Sequence, residues 1–296
     1  MRYVLSLLAL CMLLSACGSS TSATASPGAS SSHYAYVTTS TNYIGGTGTV
    51  IPINLTTKTV LDPIPVPFNL SGIAVTPNGH TAYVATSTGG LNASYGLIPI
   101  DLTTKAVLAP IPLPGSVFDV AITPNGKTAY VSGSIAGAGI TPIDLATKAV
   151  GAPIPVPGII TGLAISPDGK TAYVTASADG ATNRIIPIDL TTQAALSAFP
   201  DLHTGHGIGS IAITPNGRTA YVTTFGGIVP VDLATQVASA LIPGPQIIVG
   251  IAIAPDGQTA YAIGGGSGGV TPISLATKQA LDPIPFLTGI YGIAIT

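Results

Sequence analysis

The residues best equipped for chemistry stand together in the stretch Asp201-Leu202-His203-Thr204-Gly205-His206. Asp201, His203 and His206 offer one carboxylate and two imidazoles, and three such protein ligands with one water form the catalytic pattern of zinc. We therefore expect this stretch to contribute a weak site for a divalent metal or a polar ligand, and we expect no other cofactor. The alternative is a solvated loop whose His side chains bond to nearby backbone, because no second cluster completes the ligand set.

Five other residues are candidates for ligand binding. Asp119 stands where equivalent segments carry Gly72, Gly162, Gly250 and Gly292, and it could bind a cation or a substrate hydroxyl. The alternative is a hydrated carboxylate, since lone carboxylates usually stay in water. The other four lie in connections between strand-like runs b and c that differ from one repeat to the next, where variation costs little and binding residues concentrate: they are Tyr43, Tyr95, Asp179 and Arg184. The two tyrosines could stack on sugars or peptides, or could pack within their own loops.

These residues are held by a repeat. The motif Pro-(Asn/Asp)-Gly-x-Thr-Ala-Tyr ends at Tyr83, Tyr130, Tyr173, Tyr221 and Tyr261, and Tyr36 begins the series without the preceding turn. A period of roughly forty to fifty residues is typical of solenoids and propellers. The recurring Tyr residues are expected to pack between units. The recurring Asp residues, such as Asp101, are expected to cap turns, because Asn54 and Ser274 replace them with other capping oxygens.

Each unit contains four short strand-like runs, a to d. Run d of the first unit carries Pro63, Pro65 and Pro67 at alternate positions, which a strand tolerates at a sheet edge. Run c carries a proline in every unit, such as Pro52, although it should have neighbours on both sides, so we expect a bulge or a frayed end there.

The order of the runs predicts a closed ring. The repeat region begins with a run b and ends with a run a, Gly292 to Thr296. Pairing both in one unit leaves no unit with an unburied face. The sequence therefore predicts an all-β fold, a six-bladed β-propeller of four-stranded antiparallel blades closed by N- and C-terminal strands that share one blade.

The repeat also resembles a known family. Ser166 to Thr175, followed by Ile186 to Thr192, is similar to the YVTN-type β-propeller repeat of the lactonase-like propeller superfamily. The resemblance covers nearly all of residues 34–296, although members commonly have seven blades. It implies the propeller fold, and it adds a lactonase-like or metal-dependent hydrolase using the loops around the central channel as an alternative function.

The N-terminus predicts export and a lipid anchor. Arg2 precedes an apolar stretch that is too short for a permanent membrane helix. Leu14-Ser15-Ala16-Cys17-Gly18 looks like the lipobox of bacterial lipoproteins, which implies cleavage before Cys17 and its lipidation. We thus expect a signal peptide at 1–16, a lipidated Cys and Ser/Thr/Ala-rich tether at 17–32, and the propeller at 33–296. An ordinary secretory signal is the alternative.

The composition of the chain excludes some classes of binding partner. The formal net charge is −2 and charged residues are 7% of the chain, so the surface lacks the positive charge that binds nucleic acid. The chain holds no Glu and four His, a thin supply for acid–base or metal chemistry. We expect a binding or scaffold module outside the cytoplasmic membrane or at the outer membrane. Its partner would be a cell-envelope glycan, peptide or protein, and the membrane contact would be the lipid alone. A purely structural envelope protein is a further alternative.

Overall fold

Short β-strands account for the regular structure throughout the repeat region. The structure is a computed structural model that describes residues 33–40, 47–88, 95–133, 135, 139–177, 183–202, 207–264, 269–285 and 289–296. Five of the predicted site residues therefore lie outside the described residues: Cys17, Tyr43, Asp179, His203 and His206. Within the described residues, no helix is long and apolar enough to span a membrane.

The first half of the chain builds three blades. Blade one begins with β1 (Tyr34–Ser40), β2 (Gly48–Asn54), β3 (Thr59–Val60) and β4 (Ile64–Val66). Blade two contains β5 (Asn69–Val75), β6 (Thr81–Thr88), β7 (Tyr95–Asp101), β8 (Ala106–Val107) and β9 (Ile111–Leu113). Blade three contains β10 (Val117–Ile122), β11 (Thr128–Gly133), β12 (Gly139–Asp144) and β13 (Ile154–Pro155).

The second half repeats the pattern. Blade four contains β14 (Ile159–Ile165), β15 (Thr171–Ser177), β16 (Asn183–Asp189) and β17 (Ala194–Ala195). Blade five contains β18 (Ile208–Ile213), β19 (Thr219–Thr224), β20 (Gly227–Asp232), β21 (Val237–Ala238) and β22 (Ile242–Pro243). Blade six contains β23 (Gly250–Ile253), β24 (Thr259–Ile263), β25 (Gly269–Ser274), β26 (Gln279–Ala280) and β27 (Ile284–Pro285). The last strand, β28 (Ile290–Ile295), belongs to blade one.

Pairing of the two ends closes the ring as predicted. β28 lies antiparallel to β1, with Tyr36 opposite Ala294 and Val37 opposite Ile293. The side chain of His33 contacts the carbonyl of Thr296 at 3.0 Å. The six sheets of the described chain each run from an inner strand a to an outer strand d, so the predicted six-bladed all-β propeller is confirmed.

The repeated tyrosines pack between blades. Tyr36 of blade one joins a buried cluster with Ile73 and Val84 of blade two. The same step recurs from each blade to the next, and Tyr261 of blade six contacts the cluster that holds Val37 and Ile293 of blade one. Each tyrosine side chain thus fills the gap between two adjacent blades. Burial raises the pKa of the Tyr36 hydroxyl, with a smaller contribution from Tyr34.

The repeated acids cap turns. Asp101 Oδ1 accepts N–H bonds from Thr103 at 2.9 Å and Thr104 at 2.8 Å. These bonds hold the pKa of Asp101 below its usual range. Asn54 accepts the same pair of bonds in blade one, so charge is dispensable at this position and the oxygen is what the turn requires.

The bulge or frayed end expected at the prolines of run c is not present in blade one. β2 pairs continuously with β1 across Pro52, without a bulge. The irregularity lies instead in the outer strand, which is split into β3 and β4 opposite Pro52. The N–H of Leu61, in the break, donates to the Pro52 carbonyl at 2.9 Å, and an equivalent bond forms in all six blades. A residue in a strand points its N and its C=O to the same side. The ring nitrogen of Pro52, which has no hydrogen to donate, therefore faces the break between β3 and β4, where no partner is lost.

Candidate functional site

The inner strands enclose a central channel. A cavity of about 130 Å³ lies along its axis, and every blade contributes residues to its wall. The wall includes Gly72 of β5, Asp119 of β10, Ser210 of β18 and Gly250 of β23. The structure therefore places Asp119 at the channel, as expected from its position in the repeat; its role in ligand binding stays a prediction.

The register of the sheets turns backbone groups toward this cavity. In blade three, the carbonyl of Pro142 faces the outer strand, and Pro142 lies opposite Tyr130, which lies opposite Ala121. In an antiparallel sheet, hydrogen-bonded and non-bonded pairs alternate, so Ala121 bonds to β11 and its neighbour Val120 points its N–H and C=O into the channel. The same register holds in the other blades, which places the corresponding groups of Ile73, Leu163, Ile211, Ile251 and Ile293 in the channel.

Asp119 is held by two of these inward-facing amides. The N–H of Val120 donates to Oδ1 at 2.9 Å, and the N–H of Leu163, on blade four, donates to Oδ2 at 3.0 Å. Burial raises the pKa of Asp119 to about 6, and the two N–H bonds act in the opposite direction. The carboxylate thus bridges blades three and four while it faces the cavity.

Close approach between inner strands explains why glycine is the common residue at this position. A Cβ added to Gly72 would lie 2.8 Å from the Cα of Asp119 and 2.7 Å from its Oδ1. One added to Gly162 would lie 2.8 Å from the Cα of Ser210. Such distances are below van der Waals contact, so neighbouring strands would have to separate. The side chain of Asp119 therefore fits only because its neighbour in blade two is Gly72.

Apolar side chains surround the mouth of the channel. Phe118, Val249 and Tyr291 stand just before the position that carries Gly, Asp or Ser in each inner strand. Phe118 and Tyr291 lie in β10 and β28, Val249 lies immediately before β23, and they are 47%, 39% and 43% exposed, respectively. All three also line the cavity. Ile159 and Ile247, in or beside the segments that enter β14 and β23, are 74% and 53% exposed. We call the side from which the b–c and d–a connections emerge the loop face; these residues lie on it.

Two further candidates are described in blade four. Arg184 was expected in the connection between strands b and c but lies in β16, exposed, opposite Ala176. Asp201 is partly buried and lies between the buried residues Phe199 and Leu202. The N–H of Phe199 bonds to the carbonyl of Ile185 at 2.8 Å, and its ring packs edge-on against Tyr173 at a centroid distance of 6.2 Å. Blade four thus anchors this connection beside β16.

The candidates that the structure describes do not form one site. Tyr95, which was expected in the connection between strands b and c, begins β7 opposite Leu113 in blade two, whereas Asp119 is in blade three and Arg184 is in blade four. Among the residues that the structure describes, no three His, Cys, Asp or Glu side chains are grouped closely enough to hold a metal ion. The predicted metal site on Asp201, His203 and His206 has two of its three members outside that part of the chain, so it stays a prediction.

The apolar mouth was not predicted from the sequence. Its members stand at a position where the six repeats carry Ser71, Phe118, Thr161, Gly209, Val249 and Tyr291. The signal was present, because three large apolar residues interrupt a position that is otherwise small or polar. The exposure of these side chains could not be predicted, because it follows from the close packing of the inner strands, which leaves the side chains no room between blades.

Fold and site together define the class of this protein, a six-bladed β-propeller with an asymmetric central channel. No protein-family profile matches the sequence, and no curated protein sequence matches it. Solved structures do share the fold. A chain in the crystal structure of a nidogen–laminin complex aligns with a TM-score of 0.72 at 14% identity, covering 89% of this chain and 98% of that one.

Two bacterial structures are also similar. TolB from Acinetobacter baumannii aligns with a TM-score of 0.70 at 16% identity, covering 90% of this chain and 66% of TolB. Hydrazine synthase from Kuenenia stuttgartiensis aligns with a TM-score of 0.60 at 19% identity, covering 83% of each chain. Matches extend to 1369 chains, and identities this low establish the fold alone. Function therefore has to be argued from the site.

Proposed function

We propose that this protein is a binding module whose partner docks on the loop face, over the mouth of the channel. The observation that carries the proposal is the group of exposed apolar side chains there, Phe118, Ile159, Ile247, Val249 and Tyr291. Three of them, Phe118, Val249 and Tyr291, line one cavity, and grouped exposed apolar side chains mark interaction sites in soluble proteins. Aromatic residues are also enriched in interfaces, where large apolar surfaces are buried at little entropic cost.

Binding fits the channel better than hydrolysis does. General acid–base chemistry on a polar substrate uses a paired acid and base or a metal-bound water. The described wall of the cavity contributes one carboxylate, Asp119, with Thr161, Ser210 and Tyr291 as its hydroxyl residues. A partner that covers apolar side chains needs no such pair, which supports the binding module over the lactonase-like alternative.

Site-specific photocrosslinking tests the loop face. We expect a photoreactive benzoyl-phenylalanine in place of Ile247 to give a covalent adduct with an envelope component in the producing bacterium. The matched control is the same replacement of Leu281, which lies on the outer edge of blade six and is 47% exposed, compared with 53% for Ile247. The adducts would be measured by mobility shift and identified by mass spectrometry.

The two positions separate the outcomes. An adduct from residue 247 and none from residue 281 supports docking on the loop face. An adduct from residue 281 alone would move the partner to the perimeter, and adducts from neither position would favour the purely structural role.

We further propose that the module is exported and tethered through a lipidated Cys17, at the outer side of the cytoplasmic membrane or at the outer membrane. The support is the sequence from Arg2 to Gly18 and the polar segment that follows it, because Ser- and Gly-rich segments act as flexible linkers. A single lipid chain binds membranes only marginally, so a stable anchor needs more than one.

Substitution of Cys17 tests the anchor. We expect Cys17→Ser to abolish incorporation of radiolabelled palmitate and to move the protein from the membrane fraction to the soluble fraction of the cell. Because Cys11 lies in the predicted signal peptide, Cys11→Ser serves as the control and should leave labelling unchanged. Labelling that survives Cys17→Ser would exclude the lipobox.

A further inference from the structure

We propose that the channel cavity binds a small primary ammonium ion against the Asp119 carboxylate, with the hydrocarbon part of the ligand against Phe118, Val249 and Tyr291. This inference rests on the proposed function, since it names the chemistry that the loop face would recognise at its centre. Its support comes from the charge, the hydrogen-bonding groups, the size and the rim of the cavity.

The described wall of the cavity carries a negative charge. Of the described residues that line it, Asp119 is the one carboxylate, and none is Lys, Arg or His. Val120 and Leu163 offer neutral N–H groups to the carboxylate, so they hold it in place without cancelling its charge. A partly buried carboxylate of this kind is stabilised by an opposite charge within a few ångströms.

The hydrogen-bonding groups of the wall match an ammonium group. A primary ammonium carries three N–H donors, as a Lys side chain does. One of them would bond to Asp119, whose two oxygens each accept one protein N–H bond and retain further lone pairs. The others would meet the channel-facing carbonyls of the inner strands, such as those of Ile73, Ile211 and Ile251, which the sheet register turns inward.

The size and the rim favour a short aliphatic amine over a metal ion. A volume of about 130 Å³ is close to the roughly 150 Å³ of an apolar cavity that holds one benzene molecule, which suits a chain of a few carbons. Calcium takes six to eight oxygen ligands, usually with several carboxylates, whereas the described part of this wall has a single carboxylate. The exposed rings of Phe118 and Tyr291 would contact the hydrocarbon chain and offer nothing to a bare metal ion.

Titration with n-butylammonium chloride tests the proposal directly. The amide resonances of Val120 and Leu163 would be followed by ¹H–¹⁵N NMR in the purified full chain at pH 8. We expect saturable shifts of both amides. We expect n-butanol and calcium chloride to bind at least tenfold more weakly, because one lacks the charge and the other lacks the apolar part.

Two variants provide the control. Asp119→Asn keeps the shape and removes the charge, and we expect it to weaken n-butylammonium binding at least tenfold. Asp62→Asn removes an exposed charge on the perimeter of blade one and should leave binding unchanged. A dispersed spectrum of the Asp119→Asn protein would show that it is folded, so that weakened binding reports the loss of charge.

Three results would contradict the proposed ammonium site. Equal affinity for n-butylammonium and n-butanol, undiminished binding by Asp119→Asn, or binding of calcium alone would each overturn the ammonium site. None of these results would touch the proposed function, because the adducts expected at residue 247 do not require an amine. Conversely, missing adducts with intact amine binding would reject the docking partner and leave the channel site standing.

Discussion

Deletion of residues 290–296 is expected to abolish cooperative folding of the propeller. The deletion removes β28, the inner strand of blade one, and with it the buried side chains of Ile290 and Ile293. Loss of each buried Ile side chain costs about 2–5 kcal/mol, and the whole domain is worth about 5–15 kcal/mol. The exposed faces of β1 and of its neighbouring blades add to that loss, so no stable ring should remain.

Thermal unfolding followed by circular dichroism would measure the effect. The full chain should melt in one transition, and the truncated chain should show no transition of comparable amplitude. Leu281→Ser, an exposed change on the outer strand of blade six, is the control and should shift the midpoint little. A truncated protein that melts like the full chain would mean that the ring tolerates an incomplete blade.

Asp119→Asn is expected to change the stability of the protein in opposite directions at acidic and basic pH. The pKa of Asp119 is about 6 in the folded protein and about 3.9 in an unfolded chain. Between these two pKa values, the folded state binds a proton that the unfolded state does not. The contribution of the protonated Asp119 to the free energy of unfolding is therefore complete below pH 4 and is lost as the pH rises through 6. Ionisation at pH 8 costs the native protein about 3 kcal/mol by this linkage.

The Asn variant avoids that cost but loses an acceptor. Its single carbonyl oxygen can accept the N–H of Val120 or of Leu163 but not both in the present geometry, and the unmade bond costs about 1 kcal/mol. We thus expect the variant to be about 1–2 kcal/mol more stable than the native protein at pH 8 and about 1 kcal/mol less stable at about pH 3, where the native carboxyl is protonated in both states. Urea unfolding at both pH values would measure the difference.

Comparison with the native protein isolates the effect of one carboxyl. Hydrogen bonding lowers the pKa values of the turn-capping residues Asp144 and Asp232, in each case mainly through the N–H of the Thr three residues later. Their stabilisation is lost as the pH falls, and it is lost equally in both proteins. Asp62→Asn, which removes an exposed carboxylate on the perimeter of blade one, is the matched control. Parallel stability curves for Asp119→Asn and the native protein would show that the Asp119 pKa is not raised in the folded state.

The architecture was predictable because the repeat encodes it locally. The order of runs, starting with the strand of Tyr36 and ending with that of Ile293, required the shared blade that the structure confirms. The turn-capping role of Asp101 followed from its replacement by Asn54, which makes the same bonds. In both cases six versions of one unit were compared within a single chain, so chance features averaged out.

The site was predictable only in part, because it consists of departures from the repeat. Asp119 stood out since it breaks a row of small residues, and its place in the channel followed from its position in run a. Its bond to Leu163 crosses between blades, and no spacing in the sequence reports that distance. The exposure of Phe118 and Tyr291 likewise depends on how closely the inner strands approach, which is a property of the assembled ring.

The joining of β1 and β28 also bears on when the ring can close. His33 contacts Thr296 across 263 positions of sequence, so blade one stays incomplete until β28 has been synthesised. Contacts between distant residues form slowly. Closure of the ring is therefore a late step of folding, and a nascent chain that still lacks β28 keeps one edge of β1 unpaired.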